Sequence, residues 1–455
     1  MTTAVETPVT TPLAPPRRGR LRGADLLAVV LGIPATALAL WLVDGGLALV
    51  TSGAEGTLTG VGQLAGMAAG LAALAGLALA SRLRGLERRY GLDRMLGWHR
   101  YVGIAAVTAL LVHAVALIAA YSMRSGRDPF SQVVFLAGEP WLPAALAGGA
   151  LMLLVALTSW RRIKSRMAYE TWYYLHLLGY LSVVLALGHV LTMGSDFVGN
   201  FWATLWWIGL YLAVALMFVV GRWWPLLRSL TRPLKVTGVQ RLPDGAISVW
   251  VAGPGLAAAR AAAGQFFMLR FGVKGLWWQS HPYSMSNRPL AEGLRFTFHA
   301  RGDDAADFAR IRPGTRVWLQ GPYGTLGVER SEGRQVAMIA GGSGIAPLRA
   351  ILDDLRPEQE PVVIVRVSAW HQAWFLEELE QLVADRGGRL HVIAGRRTSL
   401  RVDPFTPVAL QSLIPDLAER SVYVCGPAAM SRAASRGLVA GGVPRSRIHI
   451  ERYDY

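Results

Sequence analysis

The chain has 455 residues, of which 53% are hydrophobic and only 17% charged, and its mean hydropathy is +0.34. That is too apolar for a soluble protein of this size, and the length calls for two or three domains. The single cysteine, Cys425, excludes disulfides within the chain and cysteine-ligated iron–sulfur clusters, so any redox chemistry must use haem or organic cofactors.

Residues 1–23 are rich in Thr, Pro and Arg without periodicity and read as a disordered cytoplasmic tail. No cleavable signal peptide is expected, because the first apolar run begins near Ala24 and is long enough to span. Six apolar stretches follow, at about 25–50, 61–80, 98–120, 141–160, 169–192 and 201–221. Seventeen Lys and Arg gather in the tail, the second and fourth loops and the segment after the sixth stretch; the opposite loops carry only Arg124 and Arg127. The positive-inside rule therefore predicts a multi-pass protein of the cell membrane with both termini cytoplasmic. The same distribution accounts for the net charge of +16 by contact with membrane lipid, without nucleic acid.

Two of these stretches carry paired histidines, His99 with His113 and His176 with His189. Fourteen helical steps return a side chain to within about 40° of its starting azimuth and roughly 21 Å further along, so the first pair lines one face. Thirteen steps leave the second pair about 140° out of phase, so it shares a face only if that helix is overwound or kinked, which Gly179 and Gly188 would ease. Ionisable side chains inside a bilayer are costly and mark functional sites. Four of them at two depths suggest two haems stacked across the membrane. Core histidines bonded between helices are the bland alternative, and zinc is a second, but ligands roughly 20 Å apart cannot close a tetrahedral site. With the predicted orientation, His99 and His176 share the inner level and His113 and His189 the outer.

Past Trp224 the pattern becomes that of a soluble α/β protein. The segment 233–242, the turn Pro243-Asp244-Gly245 and the run 246–252 read as a hairpin. Further strands are expected at 265–271, 294–300 and 316–320, as in a small antiparallel barrel. From Gln335, strands at 336–340, 362–367, 390–394 and 421–425 alternate with helices at 346–355 and 375–384, which predicts a parallel sheet with covering helices. The glycine turn Gly341-Gly342-Ser343-Gly344 leads from a strand into a helix, where free N–H groups favour a pyrophosphate. Pro347 stands where a Rossmann fingerprint has its third glycine, which argues for a different dinucleotide fold.

His281-Pro282-Tyr283-Ser284-Met285-Ser286 resembles the flavin motif of the NADPH oxidase and ferric reductase superfamily, and Gly321-Pro322-Tyr323-Gly324 resembles its companion loop. Gly342-Ser343-Gly344-Ile345-Ala346-Pro347 and Cys425-Gly426-Pro427 are similar to the nucleotide motifs of ferredoxin–NADP reductase-type domains, and the terminal Glu451-Arg452-Tyr453-Asp454-Tyr455 to their aromatic ends. The histidine spacings match the superfamily's two-haem domain, and the resemblance runs from about residue 25 to 455. It implies a multi-domain membrane protein: a six-helix transmembrane haem bundle at 24–222, an antiparallel β-barrel FAD domain at 230–330 and an α/β parallel-sheet NAD(P)H-binding domain at 331–455.

The resemblance also implies roles. His99, His113, His176 and His189 would be the metal ligands of two b-type haems. Tyr283 would pack beside the flavin of FAD, Ser284 would bond near its N5, and His281 would lie by its phosphates or ribityl chain, with Pro282, Ser286, Gly321, Tyr323 and Gly324 completing that site. Gly342, Gly344, Pro347, Gly426 and Pro427 would hold the nicotinamide nucleotide. Cys425 would sit near its C4, the alternative being a buried strand-end cysteine, and Tyr455 would gate the flavin face. Arg396 and Arg397 are candidates for a 2′-phosphate, favouring NADPH with NADH possible. In NADPH oxidases a further histidine lies one turn beyond the outer ligand, where this chain has Leu117. That departure favours ferric iron or another extracytoplasmic one-electron acceptor over superoxide formation from oxygen. An electron-transfer subunit serving a partner protein or quinone is a further reading, and a transporter with a reductase-like sensor is a third.

Overall fold

A computed structural model describes residues 23–194, 200–231, 234–254, 256–300, 305–396, 398, 400 and 402–452, with Pro12. The expected tail at 1–23 lies almost wholly outside them. The chain divides into two compact units, one of Gly19–Arg222 and one holding Trp223–Tyr455.

The first unit is helical: α1 (Gly23–Val43), α2 (Gly46–Thr51), α3 (Ala54–Ala80), α4 (Arg84–Tyr90), α5 (Leu92–Ser125), α6 (Pro129–Leu136), α7 (Leu142–Ser159), α8 (Arg161–Lys164), α9 (Tyr169–Met193) and α10 (Phe201–Phe218). Among the described residues six helices are long and apolar enough to cross a membrane. Their outer faces carry exposed apolar side chains such as Tyr101, Val115, Val184 and Leu212, as suits helices solvated by lipid. The stretch expected at 25–50 is two helices rather than one, because Gly45 adopts φ +88° and turns the chain after Val43. α3 begins at Ala54, ahead of the expected 61. It lies along α5, and α7 lies along α9. Small residues permit that closeness: a Cβ at Gly62 would meet Leu117 at 2.6 Å and one at Gly148 the Ser182 carbonyl at 2.8 Å.

The sixth apolar stretch does not end at 221. A π-turn (Val219–Trp223) passes it into α11 (Trp224–Thr231). Within the turn, a Cβ at Gly221 would lie 2.2 Å from the Ser81 carbonyl, and Arg222 donates from Nε and Nη2 to the Ala80 carbonyl at 3.2 and 3.1 Å, capping α3.

In the second unit, β1 (Leu234–Arg241), β2 (Ala246–Ala252), β3 (Phe266–Phe271), β4 (His281–Ser284), β5 (Leu294–His299) and β6 (Arg316–Tyr323) form an antiparallel sheet in the order β4-β3-β6-β1-β2-β5. The edge strands meet at one bridge, Met285 with Phe296, which curls the sheet into a half-barrel. Its core holds Phe267, Leu269, Phe271, Phe296 and Val317. Two short helical segments attach to it: α11, whose Ser229 Oγ accepts from the Leu319 N–H at 3.0 Å, and α12 (Ala305–Phe308). β4 escaped the strand pattern because it is four residues long and carries Pro282, which an edge strand tolerates.

The parallel sheet runs β11-β10-β7-β8-β9, from β7 (Val336–Gly341), β8 (Val362–Val367), β9 (Arg389–Ala394), β10 (Ser421–Gly426) and β11 (Ile448–Arg452). α13 (Ile345–Asp354) and α14 (Leu376–Ala384) cover one face; α15 (Pro407–Leu413) and α16 (Ala428–Ala440) cover the other. Alternate residues of each strand feed the two cores, Met338 and Val365 against α13 and Ile339 and Ile364 against α15 and α16.

Candidate functional site

In the first unit the four histidines form two pairs across α5 and α9. The His99 and His176 ring centroids are 5.8 Å apart, and those of His113 and His189 are 6.2 Å apart. Two imidazoles on opposite sides of one iron, each bonding at about 2 Å, put their centroids roughly 6 Å apart, so both gaps fit a bis-histidine metal. The backbone of α3 holds two of the rings. His99 Nδ1 lies 2.9 Å from the Gly76 carbonyl and His113 Nδ1 2.8 Å from the Gly62 carbonyl. A carbonyl accepts only, so each Nδ1 carries the proton and each Nε2 keeps its lone pair for the partner side. Room for the His113 ring comes from Gly66, where a Cβ would approach its Nδ1 to 2.6 Å.

α9 is one uninterrupted α-helix from Tyr169 to Met193. His176 and His189 both face α5 from this one helix, each forming a ring pair with a histidine there. Gly188 instead seats the Trp141 ring, which a Cβ there would strike at 2.3 Å. Among the described residues no group of three or more His, Cys, Asp or Glu gathers as a metal site, so the zinc alternative lacks a ligand set there.

In the second unit, β4 sets His281, Pro282, Tyr283 and Ser284 opposite Leu269, Met268, Phe267 and Phe266 of β3. The Tyr283 ring stacks on Phe298 at 3.8 Å and lies 5.8 Å from His281, with interplanar angles of 12° and 14°. Phe266 pairs with both Ser284 and Tyr323. At the adjoining Gly324, a Cβ would come 3.0 Å from Glu451 Oε1, and Glu451 pairs with Cys425. One contiguous line therefore runs from Ser284 through Tyr323, Gly324 and Glu451 to Cys425. Two of the candidates are less open than expected. Ser286 is fully buried with its hydroxyl 2.9 Å from Thr297 Oγ1 and its N–H donating to the Arg295 carbonyl. Tyr323 is fully buried against Phe266.

The glycine turn and the end of β10 form one cradle at the C-terminal edge of the parallel sheet, where such folds take their ligands. A Cβ at Gly344 would lie 2.1 Å from the Cys425 carbonyl, and one at Gly426 would lie 2.9 Å from the Gly341 carbonyl. Gly342 has φ +53° and open space where a Cβ would stand. Pro347 falls in the first turn of α13, where its missing N–H costs nothing, and Pro427 is the N-cap of α16. The Cys425 side chain is buried at the end of β10. Arg396 follows β9; Arg397 and Tyr455 lie outside the described residues.

Several residues escaped the sequence reading. Arg366, the one charge in the apolar β8, bonds the Ile393 and Gly395 carbonyls at 3.3 and 2.6 Å and the Val367 carbonyl, joining the ends of β8 and β9. Arg295, 6% exposed, grips Glu378 with both guanidinium ends at 2.8 Å, and Arg349 shares that carboxylate at 2.9 Å, tying the half-barrel to the parallel-sheet domain. Burial pushes the Glu378 carboxyl up, but Arg295 and then Arg349 outweigh it and hold it below the usual range. The glycines of α3 at 62, 66 and 76 were the available signal for the histidine sockets.

Residues 65–187 match the ferric reductase like transmembrane component family, and residues 338–436 match the oxidoreductase NAD-binding domain family. The chain is 28% identical over 201 residues to an NADPH oxidoreductase of Mycobacterium tuberculosis, covering 42% of this chain and 51% of the relative. It is 27% identical over 186 residues to the electron transfer component of a xylene/toluene monooxygenase of Pseudomonas putida (38% and 52% covered). Identity is 29% over 198 residues to the ferredoxin reductase component of a 3-ketosteroid-9-alpha-monooxygenase of Mycolicibacterium smegmatis (42% and 55%). The chain spans about half the length of these curated relatives. A solved ferredoxin NADP+ reductase from Neisseria gonorrhoeae with bound FAD and NADP aligns with a TM-score of 0.40 at 22% identity, over 48% of this chain and 97% of that one.

Proposed function

We propose that this chain, which joins a ferric-reductase-like transmembrane component to a ferredoxin-reductase-type oxidoreductase module, moves electrons from cytoplasmic NAD(P)H to an acceptor across the membrane. The observation that carries the proposal is the pair of histidine gaps, 5.8 and 6.2 Å between ring centroids, backed by the Gly76 and Gly62 carbonyls. NAD(P)H gives up two electrons as hydride while haem takes one at a time, so a bound FAD would supply the change between them.

His99 and His176 would hold the inner haem and His113 and His189 the outer. With histidines as all four ligands, the haems would supply electron transfer rather than a binding position for the acceptor. His281, Tyr283 and Ser284 would bind FAD on β4. The backbone at Gly342, Gly344 and Gly426 would take the nucleotide's phosphates, since any side chain at 344 or 426 would collide with the facing strand end. Cys425 and Tyr455 would flank the nicotinamide, and Arg396 with Arg397 would favour NADPH over NADH.

The acceptor we favour is ferric iron or a similar small one-electron oxidant. Leu117 packs on Gly62 one turn beyond His113, so that position offers oxygen no polar partner. A second reading, delivery to a partner protein, draws on the relatives named as reductase or electron transfer components.

An anaerobic absorption spectrum of the purified, FAD-supplemented protein, before and after NADPH or NADH, tests the proposal. Reduced b-type bands that reoxidise on adding ferric chelate are expected. Reoxidation only by oxygen with superoxide release would replace the metal acceptor, and folded protein without haem bands would overturn the ligand assignment.

A further inference from the structure

The two histidine pairs differ in what stands behind their α9 members. His176 Nδ1 lies 3.1 Å from Ser159 Oγ, and the Trp172 indole N–H donates to the same oxygen at 3.3 Å. The Trp172 ring lies 5.1 Å from that of His176 at 31°, and Lys164 Nζ stands 3.6 Å over the indole. Trp172 and His176 are one turn apart on α9, Ser159 is the last residue of α7, and Lys164 ends α8. At the other pair, His189 Nδ1 has no hydrogen-bond partner among the described residues.

We propose that Ser159 and Trp172 are positioning residues that set the electron affinity of the His99/His176 haem apart from that of the His113/His189 haem. This rests on the assignment of the four histidines as haem ligands. An indole N–H can only donate, so it occupies one lone pair of Ser159 Oγ. The second lone pair accepts from Nδ1–H of His176, which fixes the tautomer with Nε2 free for the metal. An imidazole that donates from Nδ1 is the more basic ligand and favours the oxidised metal. Lys164 holds the indole in place by cation–π attraction. His189 has no such hydrogen bond among the described residues, which makes it the weaker donor of the two α9 ligands.

Potentiometric titration of both haems and low-temperature EPR of the ferric state, on the full chain in lipid nanodiscs, test this. Ser159→Ala and Trp172→Phe are expected to move one midpoint to more positive potential and change that haem's EPR g-values, leaving the other haem unmoved. His113→Ala, which leaves a single haem, identifies the shifted signal. Ser159→Thr, which keeps the hydroxyl, should restore the wild-type midpoint. Ser182→Ala is the structural control: its hydroxyl also bridges α9 to α7, donating to the Gly148 carbonyl at 2.7 Å, but it touches no histidine. It should cost stability and move neither midpoint. Unchanged midpoints and EPR lines in Ser159→Ala and Trp172→Phe would overturn the inference, as would equal shifts of both haems or an equal shift in Ser182→Ala. If Ser159→Ala fails to fold, Trp172→Phe alone decides. Wild-type protein devoid of haem would instead overturn the ligand assignment.

Discussion

In the membrane unit a Cβ at Gly66 would lie 2.6 Å from the His113 ring, whereas in the reductase unit one at Gly344 would lie 2.1 Å from the carbonyl of Cys425. The first glycine admits a side chain and the second admits a backbone. The difference follows from the surroundings of each unit. In lipid no hydrophobic force presses helices together, so small residues let them approach and a neighbour's carbonyl becomes the anchor for a functional ring. In water the parallel sheet is pressed from both faces by apolar cores, and the remaining freedom is removed at strand ends by glycine turns and charge networks such as Arg295–Glu378–Arg349. Each unit thus has its own failure mode.

Gly66→Val gives the largest expected effect and would separate those modes. It should mimic His113→Ala: one of two haems lost and acceptor reduction abolished, with NADPH-to-flavin transfer intact, as read by haem quantitation and stopped-flow absorbance. Gly344→Ala should give the reverse, full haem content and hydride transfer slowed by about 100-fold through a misplaced nucleotide. Identical phenotypes would erase the distinction between the units.

A smaller effect tests the charge network. Because the Glu378 carboxyl is held below its ordinary value of 4.5, its contribution to stability is full above that pH and is lost as pH falls through the depressed value. Glu378→Gln should therefore cost roughly 1–2 kcal/mol at neutral pH, discounted for its partial exposure, and the gap from wild type should close in acid. Thermal melts across pH 3–7 read this; a gap independent of pH would remove the carboxylate from the account. The smallest effect compares one hydroxyl in each unit. Ser182→Ala is expected to cost about 0.6 kcal/mol, and Ser286→Ala, which leaves the buried Thr297 hydroxyl with Ser248 but without its second partner, about 1 kcal/mol or more. The reverse order in denaturation would contradict the contrast.

The sequence showed most where a local period carries the information. Val362–Val367 and Ala246–Ala252 are strands at the limits expected from their apolar runs, and the four histidines stand out because ionisable residues are rare in apolar helices. It showed least where a residue's meaning depends on a distant one. Ser159 lies 17 positions from His176 and Gly62 lies 51 from His113, and nothing local marks either as an anchor. Arg295 reads as a surface charge until β5 brings it to Glu378, 83 positions on. α11 was hidden because the composition turns polar while the helix continues, and α16 because its small residues pack without a strong apolar run.

The pairing of helices has one more consequence. α3 lies along α5 and α7 along α9, yet each histidine gap takes one ring from α5 and the other from α9. Neither helical hairpin owns a whole site, and half of each would leave the translocation machinery well before its complement. During biogenesis, then, both sites are completed together when the second hairpin docks, and an arrest of synthesis before α9 would strand His99 and His113 with their carbonyl anchors but without their counterparts.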